Sequence, residues 1–173
     1  MTLDTCIHPT PLGPVRLFAH GEVLVGLEFE DHPDRTRALT ERLRRGLGAF
    51  ATRSHPDPAG AARRLDAYFA GALGALEEQP VECFGTAFER HVWDELRRIP
   101  AGATISYLEL ARRVGSPLGS RAAGQANGRN PVALFVPCHR VIAADGTLGG
   151  YGGGLARKQR LLVHEGALAP ALV

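Results

Sequence analysis

Cysteine is scarce in this chain, and long apolar runs are missing. The three cysteines, Cys6, Cys83 and Cys138, form no Cys-x-x-Cys pair and no cluster with histidine of the kind that binds zinc. We therefore expect neither a disulfide framework nor a metal site. No segment approaches the roughly 18 consecutive apolar residues of a membrane helix, and the first residues lack the basic and apolar regions of a signal peptide. These absences predict a cytoplasmic protein without a membrane partner, because free thiols are typical of a reducing compartment.

Lysine is almost absent as well, since Lys158 stands alone beside 19 arginines. Residues 1–83 hold nine arginines against twelve acidic residues, whereas residues 84–173 hold ten arginines and Lys158 against six. The formal net charge of +2 thus joins an acidic first part to a basic second part. A basic half is typical of proteins that meet a polyanion, but a solvated surface gives the same balance. Charge alone leaves both interpretations open.

The first part of the chain predicts a small α/β domain. In residues 12–30 apolar side chains alternate on both sides of a His-Gly turn, which indicates an antiparallel hairpin. Residues 31–60 are polar and rich in proline, and we expect a loop with one short helix near Thr40–Leu47. Helical spacing of apolar residues returns over Ala61–Leu73. No catalytic constellation is visible here, so we expect a structural domain over residues 1–83.

The second part, residues 84–173, predicts a mostly helical domain. Two capping-box patterns, Thr86–Glu89 and Ser106–Glu109, each precede an apolar stripe of helical period. The second of these helices is expected to end at Gly115-Ser116-Pro117, and a third to run from near Leu118 to Gly128. Helix, short Gly/Pro turn and helix together are typical of a helix-turn-helix.

The third predicted helix combines small and polar residues. Arg121, Gln125 and Arg129 recur at i, i+4 and i+8 and form one polar face. The small residues between them, including Gly124, let the backbone approach a neighbour closely. This pattern is as compatible with DNA binding as with ordinary packing beneath a solvated arginine face.

The segment Val136-Pro137-Cys138-His139-Arg140-Val141 places a thiol next to an imidazole. It lies in an apolar run, residues 133–142, that predicts a buried strand or strand-like segment. A thiol reacts as thiolate, and a neighbouring histidine is a common means of lowering its pKa. Pro137 has no N–H and indicates a turn that presents Cys138. A buried, inert cysteine is the alternative, and the pair alone does not decide between the two.

A glycine cluster, Gly149–Gly154, follows and is interrupted by Tyr151. Such a cluster lets backbone N–H groups approach a ligand without side-chain obstruction. The next helix is predicted over Leu155–Glu165, with Leu155 among its inward-facing residues. Glu165 at its end opposes the helix dipole, which favours a functional or paired role for this carboxylate.

Together these motifs resemble the O6-alkylguanine-DNA alkyltransferases, the suicidal DNA repair proteins. The similarity is dense from residue 85 to residue 166, and weaker and more generic in the first half. It implies an α+β protein with an RNase H-like N-terminal domain and a helical C-terminal domain for DNA binding and transfer. The motifs that carry it are Ser106-Tyr107, Arg121-Ala122-Ala123-Gly124-Gln125-Ala126-Asn127, Asn130-Pro131, Pro137-Cys138-His139-Arg140-Val141, Tyr151-Gly152-Gly153-Gly154-Leu155 and His164-Glu165-Gly166.

The resemblance implies that Cys138 takes an alkyl group from O6 of guanine in one irreversible step, without a cofactor. His139 is then the base, acting through a water and oriented by Glu165. Asn130 is expected to hold the segment around the site and to keep the thiolate hydrogen-bonded. The hydroxyl of Tyr107 is expected to donate to the departing guanine as negative charge develops on it.

The resemblance further implies double-stranded DNA containing O6-alkylguanine as the partner, bound through the minor groove with the damaged nucleotide flipped out. Arg121 is expected to fill the gap in the base stack. We expect a monomer, nucleoid-associated when on DNA, and leave open cooperative binding and a second substrate, O4-alkylthymine. The residues expected to bind the flipped base are Tyr107, Cys138, Val141, Tyr151 and Gly152; those expected to bind DNA are Arg121, Ser106, Ala122, Gln125 and Ala126. Gly152 stands where some relatives carry serine, so only its amide is available.

Three alternatives compete with this interpretation. A non-catalytic alkyltransferase-like protein would bind damaged DNA without repairing it, but such relatives replace the cysteine that is present here. A sequence-specific transcription factor would leave Cys138, His139, Asn130 and Glu165 without a role. A cysteine hydrolase would recover its free thiol and turn over repeatedly.

Overall fold

The chain folds as two units, and the computed structural model describes residues 1–116 and 119–170. The first unit contains Met1–Thr86 together with Pro131–Phe135. The second contains Ala87–Asn130 and the described residues from Val136 onward. The short segment 131–135 thus leaves the second unit and joins the first, where Pro131 O accepts a hydrogen bond from Leu27 N at 2.9 Å.

A four-stranded sheet is the framework of the first unit. Its strands are β1 (Thr2–His8), β2 (Val15–His20), β3 (Val23–Phe29) and β4 (Ala51–Ser54), in the order β3-β2-β1-β4. The hairpin β2–β3 is antiparallel, with Val15 opposite Phe29, and confirms the expectation for residues 12–30. The strand β1 pairs antiparallel with β2 and parallel with β4. The polar sequences of β1 and β4 gave no clear period-two signal, so both strands went unpredicted.

The segment 31–60 is more ordered than predicted. Helix α1 spans Pro33–Leu47, with proline in its first turn, where a missing N–H has no cost. Its buried residues Leu39 and Leu43 pack on the sheet in one cluster with Leu3, Phe18 and Val25. This stripe of two leucines at i and i+4 is narrow, and the surrounding arginines concealed it. The helix predicted near Thr40–Leu47 is therefore present and ends at Leu47, but it begins seven residues earlier than predicted, and the strand β4 (Ala51–Ser54) occupies part of the predicted loop.

Helix α2 (Ala61–Phe69) also belongs to the first unit. Its side chains Leu65 and Tyr68 are fully buried. It ends four residues before the predicted end at Leu73, where a separate 3₁₀ turn over Leu73–Leu76 begins.

The described part of the second unit contains four α-helices and one short strand pair. The helices are α3 (Ala87–Leu96), α4 (Tyr107–Arg113), α5 (Gly119–Gly128) and α6 (Leu155–His164). Strand β5 (Ile105–Ser106) pairs in parallel with β6 (Val141–Ile142) and so links the start of α4 to the segment after Cys138. The predicted start of the third helix at Leu118, and Pro117 before it, lie outside the described residues.

Helices α4 and α5 pack against each other as the predicted helix-turn-helix requires. The Ser106 hydroxyl accepts a hydrogen bond from Glu109 N at 3.0 Å, the first half of the predicted capping box. The Glu109 carboxylate accepts from Arg113 Nε at 3.0 Å, one turn further along α4. The indole of Trp93 in α3 donates to Ala126 O in α5 at 2.9 Å and ties this helix to the core.

Two expectations for the second unit are corrected. Residues 133–142 do not form one continuous strand: Leu134 has a φ of +73°, which a strand does not use, Cys138–Arg140 forms a 3₁₀ turn, and only Val141–Ile142 at the end is a strand, β6. Leu155 does not face inward, since 49% of it is exposed at the first turn of α6. Among the described residues, no helix combines the length and apolar character that crossing a membrane requires.

Candidate active site

Cys138 lies at the start of a buried turn that two asparagines hold in place. It is 6% exposed, and its backbone N–H donates to Val136 O at 2.8 Å. Asn130 Nδ2 donates to the same carbonyl at 2.6 Å, and Asn127 Nδ2, from α5, donates to Cys138 O at 3.3 Å. Pro137 precedes the turn and has no N–H to satisfy, which suits a buried bend. Sequence reasoning assigned a role to Asn130 but missed Asn127.

The imidazole of His139 is fully buried beside Cys138 in sequence and faces the end of α6. Its Nε2 lies 2.9 Å from Oε1 of Glu165, which occupies the C-cap of that helix. Its Nδ1 has no hydrogen-bond partner among the described residues. Because the carboxylate can only accept, Nε2 carries the proton and Nδ1 of the neutral ring keeps its lone pair.

Arg140 also binds Glu165, and sequence reasoning gave it no role. Its Nε donates to Oε2 at 2.9 Å and its Nη2 donates to Oε1 at 2.8 Å, in the two-pronged geometry that suits a guanidinium and a carboxylate. Its Nη1 donates to Ile99 O, beyond the end of α3, at 2.5 Å. The Glu165 carboxylate therefore receives at least three hydrogen bonds, one from His139 and two from Arg140.

These contacts set the charge states of the pair. Burial by itself would raise the pKa of Glu165, but the hydrogen bonds from His139 and Arg140 outweigh it and hold that pKa far below its usual range. Burial lowers the pKa of His139; Glu165 opposes this shift, while the positive charges of Arg140 and Lys158 add to it. At neutral pH Glu165 is ionised and His139 is neutral, which is the state a proton acceptor needs.

Tyr107 and Lys158 form a second polar group near the cysteine. Tyr107 begins α4, and its hydroxyl donates to Gly150 O at 3.3 Å. Lys158 Nζ donates to Val141 O at 2.5 Å, to Gly150 O at 3.0 Å and to the Tyr107 hydroxyl at 3.5 Å. Through these hydrogen bonds Lys158 connects α6 to the segment after Cys138 and to the glycine cluster.

The pKa values of both groups follow from burial. Burial raises the pKa of the Tyr107 hydroxyl, its hydrogen bond to Gly150 opposes the shift, and the charge of a Cys138 thiolate adds to it. Burial lowers the pKa of Lys158 to about 8, and a Cys138 thiolate acts in the opposite direction. Sequence reasoning missed Lys158, although a single lysine in an arginine-rich chain is a signal that could have found it.

Two glycines let the backbone approach the Tyr107 ring closely. A Cβ on Gly149 would lie 2.7 Å from Cε2 and 2.9 Å from the hydroxyl oxygen of Tyr107, and Gly149 has a φ of +69°. A Cβ on Gly124, in α5, would lie 3.3 Å from Cδ1 of the same ring. The close approach that small residues of α5 allow is therefore, at Gly124, an approach to Tyr107.

The remaining residues expected at the flipped base are Val141, Tyr151 and Gly152. Val141 is fully buried, and its carbonyl accepts from Lys158. Tyr151 and Gly152 are half-buried, and Tyr151 O accepts from Gly154 N at 3.0 Å, which closes the turn that contains Gly152. Within residues 1–116 and 119–170, no three His, Cys, Asp or Glu side chains are arranged to hold a metal ion.

The residues expected to bind DNA do not all share one face. Arg121 and Gln125 are exposed on α5, and Ser106 and Ala122 are half-buried. Ala126 is only 3% exposed and faces the core, where its carbonyl accepts from Trp93, so it does not belong to the outer face. Arg129, the last residue of the predicted polar face, pairs with the buried Glu89 of α3 at 3.5 Å.

Known proteins match both parts of the chain. Residues 6–83 match the family described as 6-O-methylguanine DNA methyltransferase, ribonuclease-like domain, and residues 87–167 match 6-O-methylguanine DNA methyltransferase, DNA binding domain. The methylated-DNA–protein-cysteine methyltransferase of Mycobacterium leprae is 47% identical over 159 residues, which cover 90% of this chain and 88% of that protein. The protein of the same name from Shigella flexneri is 42% identical over 160 residues, covering 92% and 93% respectively.

A solved structure agrees with these matches. Mycobacterium tuberculosis OGT, crystallised in complex with DNA, superposes with a TM-score of 0.75 at 39% identity and covers 99% of this chain and 96% of its own. The chain belongs to the 6-O-methylguanine DNA methyltransferase family.

Proposed function

We propose that the protein repairs double-stranded DNA by moving an alkyl group, methyl included, from O6 of guanine to Sγ of Cys138. The reaction class follows from the family, whose curated relatives carry the name methylated-DNA–protein-cysteine methyltransferase. The observation that carries the assignment to Cys138 is its neighbour: a buried His139 with Nε2 bound to Glu165 and Nδ1 unpaired among the described residues.

The transfer step needs a thiolate and a proton acceptor. A water molecule hydrogen-bonded to His139 Nδ1 passes the thiol proton to the ring, and Glu165 stabilises the imidazolium that forms. The thiolate then attacks the alkyl carbon, so that the S–C bond forms while the O6–C bond breaks. The guanine departs as an anion and takes up a proton, while the imidazolium of His139 gives up the proton that it received from the thiol. The thioether on Cys138 is permanent. Each molecule therefore reacts once.

Tyr107 and Lys158 support the departing base. The raised pKa of Tyr107 keeps its hydroxyl protonated, so it donates a hydrogen bond to the guanine as charge develops. Lys158 contacts the Tyr107 hydroxyl and the carbonyls of Val141 and Gly150, and so fixes the backbone that surrounds the base. The amide of Gly152 and the backbone of Cys138 and Val141 contact the edges of the base.

The helix-turn-helix presents the DNA surface, which we assign to Arg121, Ser106, Ala122 and Gln125, without the buried Ala126. Stacking hides O6 from any thiol, so the nucleotide is flipped out of the duplex at a cost of a few kcal/mol. Arg121, exposed on α5, fills the space left in the stack, and the helix lies in the minor groove. The protein binds as a monomer and acts in the cytoplasm, on the nucleoid when bound. Residues 1–83 form the structural domain.

A non-catalytic damage-binding protein is the second candidate, and it is not favoured. Cys138 is present, and the relatives that cover most of this chain carry an enzyme name.

The decisive experiment is intact-mass spectrometry after incubation with a duplex that carries O6-methylguanine. We expect a gain of one methyl group, mapped to the Cys138 peptide and stopping at one equivalent. Cys138→Ala should gain nothing while still binding the duplex, whereas Cys6→Ala and Cys83→Ala should react as the unmodified chain does. No gain, or a gain on Cys6 or Cys83, would overturn the assignment.

A further inference from the structure

The buried charges behind Cys138 include one residue with no part in the transfer described above. Arg140 is 4% exposed, Glu165 5% and His139 0%, so water contributes little to the stability of their charges. Arg140 donates two hydrogen bonds to the Glu165 carboxylate, at 2.9 and 2.8 Å, and its Nη1 donates to Ile99 O. These hydrogen bonds of the guanidinium go to Glu165 or to backbone, and none of them goes to the thiol.

The charge balance of the cluster depends on Arg140. A guanidinium stays protonated in proteins, so Arg140 and Glu165 form a neutral pair without any proton on His139. Were Arg140 absent, the buried carboxylate would have His139 as its partner and would draw a proton onto it. The resulting imidazolium cannot accept a proton from Cys138.

We propose that Arg140 is a positioning residue that balances the charge of Glu165 and thereby keeps His139 neutral and able to take the Cys138 proton. Glu165 then orients the ring through Oε1 without converting it to a cation. This role rests on the proposed transfer to Cys138, since a neutral His139 is needed only if it acts as a base.

Besides Arg140, two charged groups act on the protonation of His139: Lys158 and Glu165. Lys158 on α6 carries a positive charge that disfavours the imidazolium, and Glu165 from the end of that helix favours it. Cys138 precedes the ring in sequence, and from the α3 side the contact is the carbonyl of Ile99 with Arg140.

The first readout is the protonation of His139 itself, followed by long-range ¹H–¹⁵N NMR of the imidazoles in the full chain. Signals are assigned by comparison with His139→Gln. In the unmodified chain we expect a neutral ring, protonated on Nε2, through the range near pH 6.5 where an ordinary histidine titrates. In Arg140→Gln we expect the ring to titrate at least about one pH unit higher than in the unmodified chain. Arg140→Lys keeps the positive charge but cannot form the two-pronged hydrogen bond, so its His139 should titrate at a pH between those of the unmodified chain and Arg140→Gln.

The second readout is the pH profile of single-turnover transfer. The acid limb should move to higher pH in Arg140→Gln. Transfer at a fixed pH on that limb should then slow roughly tenfold for each pH unit by which the limb moves, while rates converge above the limb. Arg16→Gln is the matched control, because Arg16 makes the same two-pronged pair with Glu30, at 2.7 and 3.0 Å, within the first unit. That variant should leave the limb in place.

Two results would overturn the proposal. One is a His139 ring already charged at neutral pH in the unmodified chain, a measurement that stands even where Arg140→Gln does not fold. The other is an Arg140→Lys or Arg140→Gln protein whose transfer falls equally at every pH with the His139 titration unmoved. The NMR titration needs neither DNA nor transfer, so a failure of the proposed repair activity would be seen separately.

Discussion

The two units of this protein bury very different side chains. Of the polar and charged residues that are buried in the described chain, Glu28 and Gln79 belong to the first unit and eight to the second. In the first unit the ion pairs are at least partly exposed, as for Arg53 with Asp4 and Arg63 with Asp57. Buried charge is costly unless it is paired and hydrogen-bonded. The second unit carries this cost at the segment that contains Cys138, where the proposed chemistry needs ionised groups out of water.

The sharpest test of this contrast compares two glutamates that each bind an arginine by two hydrogen bonds. Glu165→Ala leaves the buried Arg140 without its partner, and we expect a loss of about 3–5 kcal/mol in the free energy of unfolding. Glu30→Ala removes the partner of the half-exposed Arg16 and should cost less than about 1 kcal/mol. Urea denaturation of both variants measures the difference. Equal losses would mean that burial does not distinguish the two units.

A second test removes one oxygen from each unit. Tyr107→Phe deletes the proposed donor to the leaving guanine, and we expect single-turnover transfer to slow by about 10²–10³-fold while affinity for the duplex stays unchanged. Tyr68→Phe alters a fully buried tyrosine of the first unit and should leave the transfer rate alone. Quench-flow with a duplex containing O6-methylguanine gives both rates. A Tyr107→Phe protein that transfers at the original rate would exclude the donor role.

The third test concerns the exposed face of α5. Arg121→Ala should slow repair of duplex DNA by about tenfold or more, because the flipped state loses the group that fills the stack. Reaction with free O6-benzylguanine, which needs no flipping, should change little. Arg98→Ala serves as the control for lost positive charge. Arg98 is exposed, follows α3, and pairs with Glu95 of that helix. Equal losses on both substrates would contradict the role given to Arg121.

The smallest expected effect separates backbone strain from steric contact. Gly149 and Gly21 have φ values of +69° and +58°, so alanine at either position should cost about 1 kcal/mol of stability. At Gly21 a Cβ meets nothing within 4 Å, whereas at Gly149 it meets the Tyr107 ring. Gly149→Ala should therefore also slow transfer, and Gly21→Ala should not. Thermal unfolding and transfer rates of the two variants check both statements.

The fold was predictable where a local pattern dominates. The hairpin β2–β3 alternates in hydrophobicity on both strands, and Ser106 caps α4 through a bond to a residue three positions away. The first half of helix α1 and the whole of strand β4 were missed because tertiary packing stabilises them: α1 packs two leucines on the sheet, and β4 gains its partner from β1. Leu134 turns the chain with a positive φ, a conformation that nothing in an apolar run indicates.

The candidate site divides in the same way. Cys138, His139 and Arg140 are adjacent in sequence, and the spacing to Glu165 is part of a motif, so these positions were visible. The contacts of Arg140 and Lys158 were not, because each depends on which carbonyl or carboxylate the fold brings within reach. The assignment of Ala126 to the DNA surface meets a related difficulty: small residues suit both a core and a DNA surface, and it is burial, at 3% exposure, that distinguishes the two here.

The hydrogen bond from Trp93 to Ala126 O has a practical consequence. Trp93 is the single tryptophan of the chain, and its indole N–H is held by a carbonyl of α5. Tryptophan emission shifts in wavelength and intensity when the hydrogen bond or the packing of the ring changes, and it can be excited where tyrosine does not absorb. A displacement of α5 on contact with DNA would therefore register in the intrinsic fluorescence of the unlabelled protein, in real time and from a single chromophore.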